Sequence, residues 1–223
     1  MLRRAFPFCP TDGWASYLVA EDRSGEYPAT VLEKTTKGKQ LSGCKSWVAA
    51  SEHVDHLVVR AICKDRNEYV LVEREAQGVG LSSRESPNFL PELSQGFAVF
   101  ENVAVSEKEV FSRDHLSSNF LGEEPYYVLL ALSAYMVAQT GAHGGPLTAE
   151  IVAPIHLARR LAEEKVEGEK FMQGVALLDK ATTRAALQFG LFIERENKEL
   201  FLLWERDKRL VNMFTRGLER RAK

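Results

Sequence analysis

The chain has 223 residues, enough for one large domain or two small ones. Hydrophobic residues make up 45 % and charged residues 27 %, which excludes collagen, a disordered tail and a disulfide-stapled miniprotein. Lys and Arg number 29 against 31 Asp and Glu, a formal charge of -2, so a chain-wide basic field for nucleic acid is absent.

The first half carries strand signals. Ala15–Ala20 is a short apolar run, and Thr30–Lys34 precedes the turn Lys37-Gly38-Lys39. Leu41 begins a run that breaks at Gly43, and Ser46–Ala50 is apolar again. Leu57–Cys63 and Tyr69–Glu73 flank the polar stretch Lys64–Glu68, which predicts a hairpin. Gln77-Gly78-Val79-Gly80 reads as a turn, and Gly96–Val105 closes the series. Short strands at this spacing predict a small barrel or a sandwich.

Beyond about Phe111 the period becomes helical. Glu123–Thr140 is almost continuously apolar, as in a buried helix, and Gly141–Gly145 with Pro146 ends it. Leu147–Lys165 predicts a helix that Pro154 kinks or divides. Glu167–Arg195 is amphipathic on Phe171, Val175, Leu178, Thr182, Ala185 and Phe189. Lys198–Arg221 is the last predicted helix. All-β followed by all-α places the chain in the α+β class, with a β-domain over 1–114 and a helical bundle over 115–223.

Apolar runs such as Val128–Leu132 fall far short of the ~20 residues of a membrane span, and Met1-Leu2-Arg3-Arg4 is followed by no signal-peptide core. Cys9, Cys44 and Cys63 are odd in number and lack CxxC spacing, which predicts a reducing, cytoplasmic home. His53 and His56, beside Glu52 and Asp55, have no third ligand in view and read as polar residues preceding a strand.

The stretch Ala29–Ala61, ATVLEKTTKGKQLSGCKSWVAASEHVDHLVVRA, resembles the middle domain of acyl-CoA dehydrogenases. Leu41, Gly43, Lys45, Trp47 and Asp55 fall on that family's pattern. Val70–Glu75, Gly78-Val79, Phe97–Val105 and the pair Arg206-Asp207 extend the resemblance over most of the chain. It implies a β-barrel followed by a C-terminal helical bundle, with FAD between them and a glutamate that takes the α-proton of an acyl-CoA. It also implies an N-terminal helical domain for which this sequence has almost no residues, so that a separate chain supplies it or the protein does without. Homo-oligomers through the C-terminal helices are implied as well.

The resemblance assigns flavin-site positions to Ala20, Glu21, Gly25, Glu26, Trp47 and Ala49. Ala20 stands where the family's threonine bonds the flavin ring, and Glu26 where a serine bonds the pyrophosphate. Ala49 replaces the threonine near flavin N5, Gly141 falls near the arginine that grips a neighbouring FAD, and Thr215 occupies the position of the base. A hydroxyl cannot serve as that base near neutral pH, and a carboxylate facing a diphosphate repels it. Trp47 in an apolar strand fits a core residue or a cofactor shelf. These departures predict an acyl-CoA-dehydrogenase-like protein with a degenerate flavin site and FAD weak or absent, a non-catalytic or cofactor-poor subunit. Two other readings stand beside it. One is a divergent FAD-dependent oxidoreductase acting on the CH–CH bond of an acyl-CoA. The other is a DNA-associated member using the basic segment Arg206–Lys223.

Overall fold

The structure, a computed structural model, describes residues 2–36, 38–85, 90–115, 120–164, 168–208 and 211. The chain separates into two compact units, Met1–Asn119 and Phe120–Lys223.

The first unit opens on a short helix, α1 (Leu2–Ala5), and continues in eight strands. These are β1 (Ala15–Leu18), β2 (Val31–Thr35), β3 (Gly38–Ala49), β4 (His56–Cys63), β5 (Arg66–Glu73), β6 (Val79–Ser83), β7 (Gln95–Val105) and β8 (Val110–Phe111). The order across the sheet is β6-β7-β3-β2-β4-β5-β8, with β1 beside β4. β5 takes the whole of one edge of β4 in an antiparallel hairpin. β1 and β2 share the other edge end to end, both parallel to β4: Ala15–Leu18 pairs with His56–Val59, and Val31 with Ile62. Alternate residues of every long strand point into one cluster that includes Leu18, Leu32, Leu41, Leu57, Val70 and Phe100. A sheet whose strands share one core is curled on itself. Among the described residues this barrel is open between β6 and β8.

Two expectations need correction here. Gly43 does not break the strand: β3 runs unbroken over Gly38–Ala49. The interruption falls on its partner, where the register with β7 shifts between Leu41 and Gly43. Glu101 and Asn102 there oppose the single residue Ser42, with Asn102 at φ 52, a β-bulge. The hairpin loop is likewise shorter than its polar composition suggests, because Arg66, Asn67 and Glu68 already belong to β5.

The second unit holds α2 (Phe120–Ala142), α3 (Ala149–Glu163), α4 (Gly168–Glu196) and α5 (Lys198–Asp207). The Thr148 side chain caps α3 by accepting from the Ile151 N–H, and Asn197 caps α5 by accepting from the Leu200 N–H. Pro154 does not divide α3, since the carbonyl it leaves without a helical donor belongs to the exposed Glu150. Two apolar clusters fill the unit. One joins Tyr126, Leu129, Ala158, Leu161, Val175 and Leu178, and the other centres on Met136, Ala185, Phe189 and Ile193. Between them α2 and α4 meet through hydroxyls: Ser133 Oγ donates to the Leu129 carbonyl and lies 3.2 Å from Thr182 Oγ1. Asp179 is also buried, and its Oδ1 has no hydrogen-bond partner among the described residues. Burial pushes this carboxyl up from its ordinary 3.8.

Two outcomes follow from this packing. Gly43 has φ 124, and a Cβ there would lie 2.6 Å from Thr30 Cα. Gly43→Ala lowers barrel stability by about 2 kcal/mol or more, whereas Gly80→Ala, with only ordinary contacts around it, leaves the urea midpoint almost unchanged. Asp179→Leu removes a desolvated carboxylate and stabilises the helical unit by about 1–3 kcal/mol at pH 7. The raised carboxyl makes the native protein less stable as pH climbs from 3.8 through the folded-state value. The advantage of the variant therefore shrinks on acidification, and denaturant titrations at several pH values measure it.

Candidate functional site

The stretch between β1 and β2, residues 19–30, crosses from the shared edge of β4 onto β3. Ser46 N–H donates to the Ala20 carbonyl at 2.9 Å, and Ser46 Oγ donates to the Glu21 carbonyl at 2.9 Å. Glu21 and Lys45 form an isolated antiparallel bridge. A second bulge follows at once: Lys45 pairs with Ala98 and Val48 with Gly96, so Ser46 and Trp47 together oppose Phe97. A bulge of this kind re-aims the side chains it carries. Trp47 is half-buried and stands outside the barrel core cluster, which removes the core reading of this residue. It forms one wall of an open groove of about 690 Å³, with Val19, Ala20, Glu21, Asp22, Arg23, Ser24, Ser46, Arg60 and Arg84.

The floor of this region is ionic. The Lys45 side chain is fully buried and pairs with the Glu21 carboxylate. The other carboxylate oxygen accepts from the Thr30 N–H at 3.1 Å and from Thr30 Oγ1. Desolvation lowers the Lys45 pKa, and the bond to Glu21 opposes that shift. Asp22 accepts from the Ser24 N–H, Ser24 Oγ and the Tyr27 N–H, and these bonds hold its carboxyl down at about 2. Both carboxylates of the groove are therefore engaged by their own loop.

The groove brings together Ala20, Glu21 and Trp47 from the predicted set. Gly25 and Glu26 are exposed and are not among its lining residues. Ala49 sits at the end of β3, two residues past Trp47, and is also outside the lining. Thr215 lies outside the described residues, as do Arg209, Arg216, Arg220, Arg221 and Lys223 of the basic segment. The two basic residues of that segment that are described have acidic partners, Arg206 with Asp207 and Lys208 with Glu205. Arg60 and Arg84 escaped the sequence reading. The signal for Arg60 was a lone charge in the apolar strand His56–Cys63, while Arg84 reaches the groove only because β6 pairs with β7. The Arg84 guanidinium carbon stands 5.7 Å from the Trp47 ring centroid, and its Nη2 donates to the Ser46 carbonyl at 2.7 Å. Among the described residues no group of His, Cys, Asp and Glu has the arrangement of a metal site.

Removing Glu21 leaves the buried ammonium unpaired. Glu21→Ala costs about 3–5 kcal/mol at neutral pH. Because Lys45 then deprotonates more readily in the folded state, the deficit shrinks as pH rises toward the ordinary lysine value of 10.5. Urea unfolding at pH 7 and pH 10 measures both effects.

No known family profile and no curated protein sequence matches the chain. Solved structures do. A glutaryl-coenzyme A dehydrogenase in complex with glutaryl-CoA aligns at TM-score 0.65 and 18 % identity, over 89 % of this chain and 61 % of its own. A glutaryl-CoA dehydrogenase from Mycobacterium smegmatis in complex with FADH2 aligns at TM-score 0.65 and 15 % identity, over 91 % and 62 %. Butyryl-CoA dehydrogenase from Megasphaera elsdenii gives TM-score 0.65 and 15 % identity, over 91 % and 64 %. The chain spans less than two thirds of the length of each of these structures, and over that span its α+β fold is acyl-CoA-dehydrogenase-like.

Proposed function

We propose that this chain is an acyl-CoA-dehydrogenase-like protein with a degenerate flavin site, acting as a cofactor-poor or non-catalytic subunit. The observation that carries the reading is the lining of the barrel groove. Ala20 contributes a methyl group where the resemblance calls for a hydroxyl, and Glu21 beside it is committed to Lys45 and Thr30. Arg84 stands over the Trp47 ring that would shelve an isoalloxazine. These residues do not fit a flavin of the family type.

An assembly role draws support from the helical unit. Leu177, Leu187 and Leu191 on α4 are 57 %, 66 % and 56 % exposed, and Leu202 on α5 is 60 % exposed. Exposed leucines at this density fit a face covered by another copy of the chain or by a separate helical subunit.

The test is spectroscopic. As isolated, the protein shows no visible flavin band, and it oxidises no acyl-CoA with a dye acceptor. Restoring the donor inside the groove by Ala20→Thr raises FAD affinity. One recovered hydrogen bond amounts to roughly 1.5 kcal/mol, about tenfold. Stoichiometric FAD in the native protein refutes the reading.

A further inference from the structure

Helix α4 carries apolar residues on two faces. One face holds Val175, Leu178, Ala185, Phe189 and Ile193 and is buried in the clusters of the helical unit. The other is exposed and runs Leu177, Lys180, Arg184, Leu187, Leu191, in steps of three, four, three and four residues. Lys170 continues it one heptad before Leu177. This is the spacing of a seam that packs against another helix. From Lys170 to Leu191 the seam is about 32 Å long.

The charge on the seam has one sign. Lys170, Lys180 and Arg184 are exposed and have no ion-pair partner among the described residues. Asp179, the acidic residue of α4 between Lys170 and Leu191, is buried. Glu169 and Glu194 stand at the two ends. The neighbouring helix α3 differs, because its exposed Arg159 and Arg160 are each neutralised one turn on, by Glu163 and Glu164. The cations of α4 are left for a group outside the helix.

A second copy does not suit this seam. The antiparallel register that sets Leu177 of each copy on Leu187 of the other also sets Lys180 of each on Arg184 of the other. A parallel pair sets every cation beside itself. Like charges brought together across an interface repel. Residues 212–223 do not suit it either, since they carry Arg216, Arg220, Arg221 and Lys223 against Glu219.

We propose that this seam docks an acidic amphipathic helix of a different polypeptide. Its apolar residues meet Leu177, Leu187 and Leu191, and its carboxylates meet Lys180 and Arg184. The proposal rests on the subunit reading above and names the chemistry of the partner. The leucines supply the buried area, and the cations choose the partner and its register.

The experiment is fluorescence anisotropy of the full chain with two labelled helical peptides of about four heptads each. Both carry leucine at a and d; one carries glutamate and the other lysine at e and g. Self-repulsion keeps each peptide from pairing with itself. The glutamate peptide binds saturably, less tightly as salt is added, and about tenfold or more tighter than the lysine peptide. Lys180→Glu with Arg184→Glu inverts that order. Leu187→Ser weakens glutamate-peptide binding about tenfold, while Lys34→Glu, at an exposed cation of β2, leaves it unchanged. Unfolding curves verify that each variant is folded. Should the charge reversal fail to fold, the two peptides compared on the native protein carry the test. Native protein that binds neither peptide, or both alike, overturns the inference, as does a preference that survives the reversal. A stable dimer that Leu187→Ser dissociates gives the seam to a second copy and overturns it. Binding to vesicles of phosphatidylserine and phosphatidylcholine that the reversal abolishes, without peptide binding, gives the seam to an anionic bilayer and overturns it too. Flavin content of the same preparation tests the subunit reading separately, because stoichiometric FAD refutes that reading whichever peptide binds.

Discussion

A fully buried ammonium inside a β-sheet survives only where a carboxylate meets it and the remaining polar atoms are satisfied. Lys45 and Glu21 meet that condition across the junction of β3 with the loop after β1. The pair is costly to desolvate, so its worth lies less in stability than in the position it fixes. With Glu21 held, Ala20 and Ser46 bond through their backbones, the loop lies against β3, and Ser46–Trp47 is turned outward by its bulge. The groove and its arginine anchors are built on that one crossing point.

The barrel was legible because its strands alternate cleanly and are separated by turn residues. The β4–β5 hairpin, the turn at Gly78 and the long β7 all came from pattern alone. Gly43 misled because a glycine in a strand signals equally a break or a close approach, and only the Thr30 backbone beside it decides between them. Pro154 leaves α3 undivided for a related reason, since the cost of a proline depends on whether the freed carbonyl reaches water. The groove was half legible. Ala20, Glu21 and Trp47 were assigned through the family resemblance, but Arg60 comes from β4 and Arg84 from the residue after β6, and periodicity carries no information about which strands become neighbours.

The helical unit shows how a bundle tolerates polar residues at its waist. Ser133 and Thr182 satisfy each other and the preceding turn, so they separate the two apolar clusters at little cost. Asp179 has no such partner on Oδ1 among the described residues, and burial makes it keep its proton more readily. The α2 helix is apolar nearly all round, a pattern typical of helices enclosed on every side. Val128 and Tyr135 on that helix are nevertheless 38 % and 42 % exposed.

The sharing of one edge of β4 by two strands also sets an order of assembly. The β4–β5 hairpin closes across Lys64 and Asp65 and forms from local contacts. β1 must instead find His56–Val59 across all of β2 and β3, in a parallel arrangement that no tight turn can template. Contacts of long sequence separation are slow to form because loop closure precedes any reward. The strand that leads into the groove loop therefore docks after the β4–β5 hairpin it pairs against, and the groove takes shape later than that hairpin.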